Sequence, residues 1–152
     1  MSSSSDNLKN LERTGALRPE PISKLELQGY LTNAALCLKD GKNLQNSAAT
    51  RFGLAYTAAH ALALAALRAH GYRPVRGTPG HRAIVFLTLP HTVGADAKVW
   101  RSLREAHDKR NKSEYEGLVN ASEREAADLV TVAERLSQLV RDWLAANRPD
   151  LL

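Results

Sequence analysis

The chain has 152 residues, 43% of them apolar, with 21 Lys and Arg against 16 Asp and Glu for a net charge of +5. That length supports one domain with a sizeable core and no need of cross-links. A single cysteine, Cys37, excludes an internal disulfide and fits a reducing compartment.

The excess of positive charge suits a polyanionic partner, yet many ordinary soluble proteins share it, so it narrows the function only slightly. Residues 1–10 are Ser-rich and polar without an apolar leader, and the longest apolar run, 61–67, is too short to span a bilayer. The expectation is a cytoplasmic protein with no membrane partner.

In chain order, residues 1–21 read as a flexible lead-in with a short helix over 7–13, followed by the breakers Gly15, Pro19 and Pro21. The main domain is expected over 22–147, with 148–152 as a tail. Ser23 and Glu26 form a capping-box pair that starts a first main helix, with Leu25, Leu31, Ala34, Ala35 and Leu38 as apolar positions. It stops at Asp40-Gly41.

A second helix spans about 47–70 and is apolar nearly all round, through Phe52, Leu54, Ala55, Ala58, Ala59, Leu62, Ala65, Ala66 and Leu67. Such a helix belongs at the centre of a bundle. The stretch 72–80, with Pro74, Gly77 and Gly80, is a loop. Residues 81–89 have strand-like composition at Ile84 to Leu87, but an isolated strand has no partner, so a short helix ending at Pro90 is expected. A fourth helix covers 95–116, with Val99, Trp100, Leu103 and Ala106 as its stripe. The last begins at a second capping box, Ser122 and Glu125, and carries Leu129, Val130, Ala133, Leu136, Val140, Trp143 and Leu144. The prediction is an all-α bundle of four main helices plus a short one, with essentially no strand.

The chemistry concentrates late in the fourth helix, in the segment from Ala106 to Gly117. His107, Asn111 and Tyr115 recur every fourth residue, and Arg110 lies three positions from His107 and four from Glu114. Taken alone, this is a solvated helix end in which Arg110 pairs with Glu114 for a few tenths of a kcal/mol (about 0.3). Arg110 and Tyr115 lie about 140° apart around an ideal helix, so they meet one ligand only if the helix end distorts or two copies face each other.

An Arg, then a polar residue, then a proton-bearing ring after three more, late in a helical bundle with a long Ala-rich helix and a Gly/Pro loop before it, resembles the HEPN family. The resemblance covers roughly 23–144. The family's motif ends in His; here Tyr115 stands in that place. The resemblance implies a HEPN-like homodimer of a toxin–antitoxin or defence-type module, acting on RNA or a nucleotide through Arg110, Asn111 and Tyr115. In ribonuclease members the Arg would stabilise phosphate, the polar residue would orient it, and the His would serve as acid or base on a 2′-hydroxyl, without metal or cofactor. A phenol with an ordinary pKa near 10 is ionised to about one part in a thousand at neutral pH, so weak or absent cleavage is expected. His107 is a candidate substitute for the missing imidazole.

Other basic residues carry weaker expectations. Arg73, Arg76 and Arg82, with Arg68, cluster around one loop, either as a nucleic-acid-tracking patch or as a solvated surface. His60, on the apolar second helix, reads as a core or interface residue, and His70, at that helix's C-terminal end, as a favourable partner of its dipole. No Cys/His set has metal spacing, and a metal site is not expected. The alternatives to an RNA-binding dimer are a non-catalytic helical partner of a small nucleotidyltransferase and a purely structural oligomerisation bundle.

Overall fold

Ser23, Ser47, Asp96 and Ser122 each stand in extended backbone and accept a hydrogen bond from the amide three residues on, at 3.0–3.1 Å. These caps fix the starts of the four main helices. The structure is a computed structural model; it describes residues 4–78, 80–117 and 120–152, with the backbone alone for 4, 5 and 114–116.

The elements in order are α1 (Ser4–Arg13), β1 (Leu17–Pro19), α2 (Lys24–Gly41), α3 (Ala48–Ala69), β2 (Tyr72–Pro74), α4 (Ile84–Leu87), α5 (Leu89–Thr92), α6 (Ala97–Glu116) and α7 (Glu123–Asn147), then a 3₁₀ turn at Pro149–Leu151. The fold is an all-α bundle. The apolar helix α3 is its axis, packing most extensively on α2 and α7 and also against α4, α5 and α6.

Alanine explains that central place. Ala55, Ala58, Ala59, Ala63, Ala65 and Ala66 are fully buried, and their short side chains let neighbouring helices close in. Leucines interdigitate around them: Leu62 and Leu67 from α3, Leu103 from α6, Leu136 and Leu144 from α7, all without exposure. Each such side chain contributes about 1.5–3 kcal/mol by leaving water. By length and composition α3 could cross a membrane, but 72% of its apolar window is buried inside the fold.

The structure departs from the expected pattern at specific places. Leu25 is 83% exposed and Ala35 is also outside; Leu27 takes the core position on α2 instead. Pro90 does not end a helix. One short helix stops at Leu87 and a second starts with Pro90 in its first turn, where the missing N–H has no partner to lose. Ile84 to Leu87 is helical, as expected, but the two Pro/Gly-bracketed stretches read as loops pair into a small antiparallel ribbon, with Leu17 opposite Pro74 and Arg18 opposite Arg73. Within the stretch read as a flexible lead-in, residues 8–17 are tied down, since Leu8 and Leu17 are each 2% exposed and α1 lies against α5 and β1. The tail is likewise tied down by buried Leu151 and by Arg148, whose Nη1 donates to the Ala69 carbonyl at the end of α3.

Arg68 makes the joint between lead-in and bundle. Its side chain is fully buried; Nε donates to Glu26 Oε2 at 2.8 Å, and the Nη atoms donate to the carbonyls of Glu20, Pro21 and Tyr72. Glu26 therefore turns away from its own helix start. The capping box expected at Ser23 is half made, because the Glu26 carboxylate is taken by Arg68, Arg73 and the Tyr30 hydroxyl. At Ser122 and Glu125 both halves form.

Candidate functional site

Arg110 extends from α6 across α3. Its guanidinium lies 4.8 Å from the centre of the Tyr56 ring, and a Cβ added at Gly53 would meet its Nη1 at 3.9 Å. A cation above an aromatic face is held without giving up its charge. No carboxylate pairs with Arg110 among the described residues.

Beneath it, four rings from three elements form one cluster. Tyr56 and His60 come from α3, Phe86 from α4 and His107 from α6, with ring centres 5.8–6.4 Å apart. His107 is 6% exposed, its Nδ1 lies 2.8 Å from the Tyr56 hydroxyl and its Nε2 is 3.1 Å from the Asn111 amide nitrogen. The imidazole bridges the Tyr56 hydroxyl and the Asn111 amide. His107 thus holds in place the two side chains that flank Arg110.

Above the cluster opens a hollow of about 360 Å³, lined by Tyr30, Asn33, Tyr56, His60, Arg110 and Asn111 among others, with no carboxylate among the described residues of its wall. His60 is half-buried there, and its imidazole has no hydrogen-bond partner among the described residues. Burial pushes its pKa below the ordinary value, and the nearby His107, Arg82, Arg110 and His81 push it the same way. The imidazole is neutral at neutral pH. Cys37 is a poor nucleophile, because burial raises its thiol pKa.

Of the motif residues, the structure brings Arg110, Asn111 and His107 together. The side chain of Tyr115 lies outside the described residues, as does that of Glu114, the partner expected for Arg110. Helix α6 continues regularly to Glu116 and ends at Gly117, whose positive φ of 73° closes it, so positions 110 and 115 stay about 140° apart.

The basic loop divides. Arg73 is committed to Glu20 and Glu26 in ion pairs, whereas Arg76 and Arg82 are exposed and have no carboxylate partner among the described residues. His70 does not serve as a cation at the helix end. It is stacked on Trp143 at 4.5 Å and donates from Nε2 to the Thr92 carbonyl at 2.9 Å, while burial lowers its pKa. Among the described residues no group of three or more His, Cys, Asp or Glu could hold a metal ion.

Tyr56 and His60, the floor of the hollow, were not singled out as site residues in the sequence. The signal was present: a Tyr, a Thr and a His at positions 56, 57 and 60 interrupt one face of an otherwise Ala- and Leu-rich helix. No family model, curated protein or solved structure matches this chain.

Proposed function

We propose that this chain is a HEPN-like protein of a toxin–antitoxin or defence-type module that binds RNA or a nucleotide in the Arg110 hollow, with weak or absent ribonuclease activity. One observation carries the reading: an arginine without a described carboxylate partner stands over an aromatic ring, beside an amide, in an open hollow whose described wall residues include no acid. Arg110 offers a planar donor fork to phosphate. Asn111 supplies a polar contact, and the aromatic floor gives a base a surface to stack on. His107, buried between Tyr56 and Asn111, positions them.

A homodimer belongs to this reading. Positions 110 and 115 stay on different sides of a regular helix, so a composite site needs two copies. Helix α2 supports such pairing. Leu25 and Leu36, 83% and 57% exposed, lie three turns apart on one face with Gly29 and Thr32 between them. The same stripe would equally serve a separate chain, and it is the observation that favours the alternative, a helical partner of a nucleotidyltransferase.

The test is binding of a labelled single-stranded oligoribonucleotide, followed by fluorescence anisotropy over a salt series. Arg110→Ala should weaken binding by about 1.5–3 kcal/mol, as expected for lost charge-assisted hydrogen bonds, and reduce the salt slope by about one. Tyr115→His should raise metal-independent cleavage, since an imidazole titrates near neutrality. Wild-type binding retained in Arg110→Ala would refute the site. No binding by any variant would favour the partner reading.

A further inference from the structure

The Arg110 hollow does not end at Arg82. A second hollow of about 390 Å³ adjoins it, lined by His60, Leu64, Arg73, Pro74, Arg76, His81, Arg82 and Val85, and the two share His60, Leu64 and Arg82. His60 and Leu64, one turn apart on α3, make the common floor. The result is one groove with cations at both ends and a largely apolar, aromatic middle. At one end stands Arg110; at the other stands Arg76, with Arg82 between.

Among the described residues no carboxylate offsets the charge of Arg110, Arg76 and Arg82 in the groove. Arg73 is neutralised by Glu20 and Glu26, which fixes the base of its loop, but Arg76 and Arg82 on the same loop have no such partners among the described residues. The arginines acting on His60 at the junction come from α6, as Arg110, and from the loop after β2, as Arg82. Each hollow falls near the low end of the range for small-molecule sites, about 300–1,000 Å³, so each is sized for a single unit of a chain.

We infer that the groove holds two phosphates, one at Arg110 and one at Arg76 and Arg82, with the intervening nucleoside over His60 and Leu64. The ligand it takes is a nucleotide segment phosphorylated on both sides of one sugar, as inside a single strand, in preference to a nucleoside monophosphate. This rests on the nucleotide-binding reading above and adds to it the second lobe. A monophosphate seated at Arg110 leaves the far arginines without an anion; a phosphate on each side of the sugar meets both ends.

Isothermal titration calorimetry with adenosine 5′-monophosphate and adenosine 3′,5′-bisphosphate, at constant ionic strength, tests it. The bisphosphate should bind at least about tenfold tighter, the effect of one added charge-assisted contact. Arg76→Gln, on an exposed loop residue, should collapse that preference to within about twofold, whereas Arg110→Gln should weaken both ligands. Circular dichroism of both variants would confirm that the bundle is intact. Equal affinity of the two ligands for wild type, or a preference untouched by Arg76→Gln, would overturn the second lobe while leaving the Arg110 site standing. Failure of both ligands to bind would overturn the two readings together.

Discussion

His60 and His70 sit on one helix and are both kept neutral by burial, with opposite consequences for a ligand. His70 is stacked and hydrogen-bonded inside the fold; His60 faces the groove. Each has a folded-state pKa below its ordinary value of 6.5, so below that pH the unfolded chain takes up protons more readily than the folded one. Stability should therefore be full above 6.5 and fall as pH drops through the lowered values. Melting temperatures across this range should decline on acidification, and His60→Gln should flatten part of the decline. A phosphate in the groove should reverse the sign for His60, because an anion favours its protonated form. A melting temperature independent of pH between about 7 and 5 would refute the assignment. Arg110, Asn111 and His107 were legible in the sequence through helical spacing. Tyr56 and His60 were hidden by the composition of α3, where twelve of fourteen buried residues are apolar and the helix reads simply as core.

Among the elements, the capping signals show what a local pattern can and cannot settle. Ser122 and Glu125 form the full box because nothing distant competes for Glu125 except Lys109, which takes its other carboxylate oxygen. Ser23 and Glu26 have the same spacing, but Arg68, 42 residues away, captures the carboxylate. That competition was invisible in sequence. So was the β1–β2 ribbon, whose strands are only three residues each and carry Pro. Arg68→Met should leave Glu26 without its buried partner and release three carbonyls, costing about 3 kcal/mol, at the low end for a broken buried pair because Glu26 is partly exposed. Urea denaturation would read this as a lower midpoint. A loss under about 1 kcal/mol would mean the guanidinium is replaceable by apolar packing.

For the whole molecule, the pattern of caps, the apolar α3 and the stripes on α6 and α7 led to the right fold class, because burial of a 3.6-residue period leaves few alternatives to a helical bundle. In the HEPN-like reading, quaternary structure depends on what the outer face of α2 meets. There, Leu25 and Leu36 are covered by a second copy, and light scattering should give about twice the 16.6 kDa of the chain, as for a two-fold dimer. Leu25→Glu, at a position 83% exposed, should then yield monomers without unfolding them. A wild-type monomer at micromolar concentration would exclude the composite site and favour a different partner for this face.

The ribbon joining residues 17 and 74 also bears on the order in which the molecule is put together. Helices α2 and α3 are neighbours in the chain and can zip up locally, whereas β1 must find β2 across the whole of both, and the entropy of closing that long loop is lost before its few hydrogen bonds repay it. The loop that carries Arg76 and Arg82 begins where β2 ends, so hydrogen exchange should show it opening together with the ribbon. Half of the groove is thus mounted on the bundle helices and half on the loop that follows the ribbon. An anion bridging the two halves would act as a latch, transmitting its binding energy to the N-terminal segment and protecting it from exchange and proteolysis without touching it.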